Sequence, residues 1–309
     1  MSIFKRILLD INALDEAHPA IALALDLAGR CHARLKIVDV VPELPRLAQR
    51  YLPAPLETDL VDSRRERLSQ LAAEARNTGT TVETNVLRGK PAVAIIREIL
   101  RSDHDLVMRA HGRVETPPGP FGPVDQQLLR KCPVPVWLIG PDAARPRHVL
   151  ACVDAGADDP VEQRLNRQIL TLACAIAALE GGTVTLLHAW SVFGEELLRS
   201  HMRDAELSAV VESIRQAAAD GLEALEDTLA ERTPETTREL VRGRPEDVIP
   251  QFVAAHDVDL VVMGTVARTG LAGVVMGNTA ERILLRLRTA VLALKPDGFL
   301  SPVRLDAPA

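Results

Sequence analysis

The chain contains one pattern twice, and this repeat limits its folding more than any other feature. Leu87-Arg88-Gly89-Lys90-Pro91 is followed by Ile95 and then by Asp105-Leu106-Val107-Met108. The same order returns as Val241-Arg242-Gly243-Arg244-Pro245, Ile249 and Asp259-Leu260-Val261-Val262, 154 residues later. The two copies close alike, with Val136-Trp137-Leu138-Ile139-Gly140-Pro141-Asp142 against Val291-Leu292-Ala293-Leu294-Lys295-Pro296-Asp297. They open more loosely alike, with Ile7-Leu8-Leu9-Asp10 against Leu150-Ala151-Cys152-Val153-Asp154. Three blocks in one order imply an internal duplication. The boundary is expected near 140–147, where Pro and Gly replace long apolar residues. Residues 1–142 and 147–298 then form two units, and 299–309 a tail.

Each copy has one grammar. A short apolar run ends in an acid, at Asp10 or Asp154. A helical pattern follows, at 20–28 or 165–179, then a second apolar run at 35–41 or 184–190. A longer charged helix is expected near 62–77 and 204–230, and a third strand at 81–87 and 237–241. The Arg-Gly-basic-Pro turn opens another helix, because Pro91 and Pro245 suit a first helical turn. A fourth apolar run, one more helix and one more strand complete each unit. Strands alternating with helices imply a parallel sheet covered on both faces. Short unbroken runs such as Leu260-Val261-Val262-Met263 fit strands buried on both sides. The expected fold class is α/β, two flavodoxin-like doubly wound domains in tandem, with strand order 3-2-1-4-5 in each. Ligands of such folds bind beyond the carboxyl ends of the strands, here between strands one and four.

Composition removes several function classes. Aromatic residues are 3% of the chain, too few for base-stacking platforms. The formal charge is −6, so no basic field exists for a nucleic-acid backbone. Cys31, Cys132, Cys152 and Cys174 are far apart and read as reduced buried thiols. The opening segment meets Asp10 after a short apolar run, unlike a signal peptide. The stretch 169–179 is too short to span a membrane. A cytoplasmic location is expected.

The loop after strand four of the second copy carries the chemistry. It runs from Met263-Gly264-Thr265-Val266-Ala267-Arg268-Thr269-Gly270 through Gly273 to Gly277-Asn278-Thr279-Ala280-Glu281. Small residues let backbone amides approach a ligand closely. Asn278 can cap the following helix, and Glu281 can close a capping box. Amides at a helix start attract anions, and Arg268 could add a charge-assisted contact. Spacing alone leaves a phosphate site and an ordinary capped surface loop both open.

This loop resembles the nucleotide loop of the universal stress protein family, G-x-x-G, nine residues, then G-S or G-T. Gly264 and Gly277 match the first and third glycines. Ala267 stands at the second, and Asn278 replaces the hydroxyl residue, with Thr279 directly after it. Leu129-Arg130-Lys131-Cys132-Pro133, Lys295-Pro296-Asp297 and Pro302-Val303 are similar to tandem members of the family. The resemblance implies a non-enzymatic protein that binds ATP or a related adenine nucleotide, with magnesium as a companion ion. It also implies a role in surviving stress such as DNA damage. Residue by residue, it implies that Asp154 contacts the nucleoside and that Ala189 offers its backbone to adenine. Gly264, Thr265, Arg268, Gly277, Asn278 and Thr279 then hold ribose and phosphates. Family members pair through their last strands, so 134–139 and 291–294 are expected to pair within the chain as an intramolecular pseudo-dimer.

The first copy lacks these features. Its equivalent loop, 109–125, carries four prolines and no Gly-Ser pair, and Asp125 would oppose a phosphate. Asp10 is read as the strand-one acid of this copy with no competent loop facing it. Arg109, His111 and Arg113 are candidates for some other anion. No Walker A, GxGxxG, GxSxG or HExxH pattern occurs, and the eight histidines show no metal spacing. His188 reads as a satisfied buried histidine, and Trp137 and Trp190 as core anchors. The alternatives are a weak ATPase or self-phosphorylating protein, with Thr265, Thr269 and Thr279 as acceptors, and a nucleotide-independent scaffold or binder of another metabolite.

Overall fold

The computed structural model describes residues 3–13, 15, 18–43, 56–76, 80–110, 121–140, 145–229, 234–265 and 276–305. The first half runs β1 (Arg6–Asp10), α1 (Pro19–Cys31), β2 (Arg34–Val41), α2 (Leu56–Arg76), β3 (Val82–Arg88), α3 (Pro91–Ser102), β4 (Leu106–Ala110), α4 (Pro123–Lys131) and β5 (Val136–Ile139). The second half runs β6 (His148–Cys152), α5 (Pro160–Glu180), β7 (Thr183–Trp190), α6 (Glu195–His201), α7 (Asp204–Glu226), β8 (Thr236–Arg242), α8 (Pro245–Ala255), β9 (Leu260–Gly264), α9 (Asn278–Leu284) and β10 (Ala290–Leu294). The repeated grammar is therefore present in both halves. The short helix α6 was not expected. Its first turn holds Glu195 and Glu196, which suit a helix start.

All ten strands form one sheet, in the order β3-β2-β1-β4-β5-β10-β9-β6-β7-β8. Each half has the 3-2-1-4-5 order expected of it, and every pairing within a half is parallel. The halves join where β5 and β10 pair antiparallel, with Leu138 opposite Val291 and Trp137 opposite Leu292. The last strands thus meet within one chain.

Apolar strands explain the two-sided cover. Ile7, Leu8 and Leu9 are all fully buried, although neighbours on a strand face opposite sides. One face packs under α1, α2, α5 and α7, and the other under α3, α4, α8 and α9, each core continuing across the seam. Burying one such side chain is worth about 1.5–3 kcal/mol. Trp137 is fully buried at the seam strand, and Trp190 is buried at the end of β7.

The repeated residues have local reasons. Proline opens α1, α3, α4, α5 and α8. Gly89 and Gly243 have φ of 119° and 149°, in the region that excludes most side chains. Asp105 accepts the amides of Lys5 (2.7 Å) and Arg6 (2.9 Å), and Asp259 accepts those of Arg147 (2.9 Å) and His148 (2.8 Å). In each half this acid, just before the fourth strand, fixes the entry of the first.

Candidate functional site

The strand register corrects the alignment of the two copies. Ile11 donates its amide to Val38, as Val153 does to Leu187 (3.0 and 3.1 Å). Asp10 pairs with Arg109, as Cys152 pairs with Met263. Asp10 is therefore equivalent to Cys152, and Asp154 to Asn12. Asp10 and Asp154 close similar apolar runs in the sequence, but β6 ends at Cys152, so the two acids are not equivalent.

The two crevices consequently differ in chemistry. In the first half, Arg109 at the end of β4 donates to Asp10, and its Nε lies 2.7 Å from Asp125 Oδ1. Asp125 Oδ2 also accepts the Gly122 amide at the start of α4 (2.9 Å). Asp10 and Asp125 are buried. The carboxylate beside the helix start thus belongs to the protein, and an ion pair spans strands one and four. Asp10, expected to have no competent loop facing it, pairs with Arg109, so that Arg109, a candidate for another anion, is occupied by the protein's own carboxylates. His111 and Arg113 lie outside the described residues.

In the second half the register places Cys152, Met263 and Ala280 at the positions of Asp10, Arg109 and Asp125. No carboxylate stands in the first turn of α9 at that position, and no ion pair bridges β6 and β9 there. The loop after β9 is closed at its base, where Gly277 donates its amide to the Thr265 carbonyl (3.1 Å).

All the expected site residues but Arg268 lie among the described residues. Asp154 sits two residues past β6. Its amide donates to Asn166 Oδ1 (3.1 Å), and Asn166 Nδ2 donates to its carbonyl (2.7 Å). Ala189 is half-buried near the end of β7. Because Leu187 bonds toward β6, Ala189 turns its peptide groups to the same side, where β6 has ended. Gly264 ends β9 with its Cα toward α5, where an added Cβ would lie 2.8 Å from Leu165. Asn278 and Thr279 are exposed at the start of α9. Arg268 lies outside the described residues, as does Ala267.

Three details depart from expectation. Gly277, not Asn278, is the N-cap of α9, and Asn278 is the first helical residue. Glu281 closes no capping box and instead pairs with Arg130 of α4 across the seam. Thr265 is fully buried, with its hydroxyl 3.3 Å from the Leu294 carbonyl and in contact with Lys295 Nζ. Its side chain therefore serves the seam.

The supporting residues were less visible in the sequence. His188 Nδ1 lies 3.3 Å from the Ala155 amide and 3.1 Å from the Val153 carbonyl. Burial pushes the His188 pKa down, partly offset by the Val153 carbonyl, so the ring is neutral at pH 7. The first-half counterpart is Asp39, which accepts the Ala13 amide (2.9 Å) and pairs with Arg64 (2.6 Å). Gly221 of α7 lets the loop after β6 approach, since a Cβ there would stand 2.3 Å from the Ala155 carbonyl oxygen. A buried polar Asn166 within an apolar helix face was the one signal available for this support. Among the described residues no group of His, Cys, Asp and Glu could hold a metal ion.

Comparison with known proteins agrees with the duplication and the sheet order. The universal stress protein family profile matches residues 3–140 and again 146–295. The chain belongs to the universal stress protein family. It is 29% identical to universal stress protein E of Escherichia coli K12, over 99% of this chain and 98% of that one. A solved structure from Pseudomonas aeruginosa PAO1, described as functionally unknown, is 28% identical with a TM-score of 0.72, covering 96% of this chain and 95% of the other. A putative universal stress protein from Pseudomonas aeruginosa UCBPP-PA14 is 26% identical with a TM-score of 0.71, again over 96% and 95%. As a tandem universal stress protein, the chain carries two family units that differ at Asp10/Cys152, Arg109/Met263 and Asp125/Ala280. No helix among the described residues is long and apolar enough to cross a membrane.

Proposed function

We propose that the second half binds an adenine nucleotide, ATP or a relative of it, without catalysing a reaction on it. One observation carries this reading. Where the first half supplies its own carboxylate to a helix start, the second half has Ala280. A helix start whose one first-turn carboxylate, Glu281, is paired with Arg130 favours an external anion. Cys152 and Met263 leave the floor between strands one and four apolar, and Met263 is nearly buried. Asp154 and the Ala189 peptide stand on the nucleoside side of that floor. In this reading Gly264, Gly277, Asn278 and Thr279 serve the phosphates, Arg268 is assigned to them by the loop motif alone, and Thr265, whose amide and carbonyl bond to Leu294 and Gly277, holds the base of the loop.

The bound nucleotide would alter a surface that cytoplasmic partners read. A role in surviving stress, including DNA damage, rests on family membership. Calorimetric titration with ATP, ADP and AMP, with and without magnesium, tests the reading. One site per chain is expected. No heat and no thermal shift at millimolar nucleotide would overturn it.

A further inference from the structure

A cavity of about 800 Å³ opens at the seam between the halves, lined by none of the residues of the proposed nucleotide site. Its volume falls within the range of small-molecule sites. One wall is α5, which presents Arg164, Arg167, Gln168, Thr171, Leu172 and Ala175 at helical spacing. The opposite wall comes from the first half, with Phe4, Pro133 and Pro135. The end of β10 and the segment after it close the third side with Leu294, Lys295, Pro296 and Phe299.

The charges in this lining do not cancel. Asp105 is occupied by the Lys5 and Arg6 amides, and Asp297 accepts from Gln168 Nε2 (2.6 Å). Arg164 and Arg167 are exposed and make no ion pair with any described residue. Lys295 Nζ donates to the Leu129 carbonyl and the Thr265 hydroxyl, and it lies 5.4 Å from the centre of the Phe299 ring. An ammonium has three donors, so one is left for the cavity. Three cations, Arg164, Arg167 and Lys295, outnumber the two lining carboxylates, each of which already accepts from an amide, and apolar walls with a positive balance suit one chemical class.

We propose that this seam cavity binds an amphipathic organic anion, an apolar body bearing a single acidic head. The body lies against Phe4, Leu172, Leu294 and Phe299, and the head meets Arg164, Arg167 and the third Lys295 donor. Burial holds the Lys295 ammonium down to about 8, a penalty that an anionic neighbour relieves. Such a ligand touches both halves and would tie their association to its concentration.

The probe is 8-anilinonaphthalene-1-sulfonate, titrated by fluorescence into the full chain, with its uncharged parent N-phenyl-1-naphthylamine as control. The anionic dye is expected to occupy one site and to bind at least tenfold tighter than the neutral one. The double variant Arg164→Ala/Arg167→Ala changes only exposed side chains and is expected to weaken the anionic dye at least tenfold with an unchanged melting temperature. Ala175→Trp fills the cavity and is expected to abolish binding. ATP is expected not to compete, which keeps this site distinct from the nucleotide reading. Equal affinity for the two dyes, an unaltered affinity in the double-arginine variant, or no binding at millimolar dye would overturn the proposal.

Discussion

Arg109 Nε and Asp125 Oδ1 lie 2.7 Å apart, across the mouth of the first-half crevice, while Asp10 holds the other end of the same guanidinium. Removing Arg109 leaves two buried carboxylates facing each other. Arg109→Met is expected to destabilise the protein by about 3 kcal/mol in urea unfolding. Making all three exchanges toward the second half, Asp10→Cys, Arg109→Met and Asp125→Ala, is expected to recover most of that loss. A triple variant no more stable than Arg109→Met would show that the ion pairs, rather than their burial, dominate.

The converse exchange tests the nucleotide reading. Ala280→Asp puts at the start of α9 the carboxylate that α4 already has, and its charge opposes a phosphate there. The variant is expected to fold normally and to lose at least tenfold in ATP affinity by calorimetry. Unchanged affinity would place the phosphates elsewhere.

Gly221 controls the position of Asp154 at a distance. Gly221→Ala puts a methyl against the Ala155 carbonyl, a backbone atom that cannot yield cheaply. The expected loss is about 2 kcal/mol of stability, with a weaker ATP interaction. Gly194, which has open space around it, is the control, since Gly194→Asn can keep its left-handed conformation and should change neither quantity.

Glu98 gives a pH dependence of known sign. His104, 3.9 Å away, with the Lys36 ammonium (2.6 Å) and the Ser102 hydroxyl, holds its pKa at about 2 against the opposing effect of burial. The folded value lies below the unfolded one. The contribution is therefore complete above about pH 4.5 and is lost as pH falls toward 2. Roughly 2 kcal/mol should disappear over that window, allowing for partial solvent screening. Melting temperatures of the native protein and Glu98→Gln, measured from pH 6 to pH 2.5, should converge on acidification. Parallel curves would refute the assignment.

Lys295 gives a second dependence of the same sign at alkaline pH. Its folded value of about 8 lies below the ordinary lysine value because of burial, so the folded state releases the proton first. Stability is expected to rise between about pH 8 and pH 10.5 relative to Lys295→Met. Denaturant midpoints across that range measure the difference.

The duplication, the strand order and the pairing of the last strands were legible in the residues. They follow from local patterns, namely unbroken apolar runs, prolines at helix starts and the Arg-Gly-basic-Pro turn, and from the resemblance those patterns carry. The relation between Asp10 and Cys152 was not legible. Two short apolar runs align equally well at several offsets, and only hydrogen-bond register tells which residues stand opposite one another. For the same reason Asp154 could be named as a candidate while its support by Asn166, His188 and Gly221 could not. These contacts join residues far apart in the chain, and their geometry exists only after the sheet has closed. The sequence by itself determined two homologous α/β units with a glycine loop in the later one. Tertiary structure alone decided that the earlier unit neutralises its own crevice, that Thr265 turns into the seam, and that a cavity edged by unpaired cations lies between the halves, because burial and charge balance depend on which distant side chains meet.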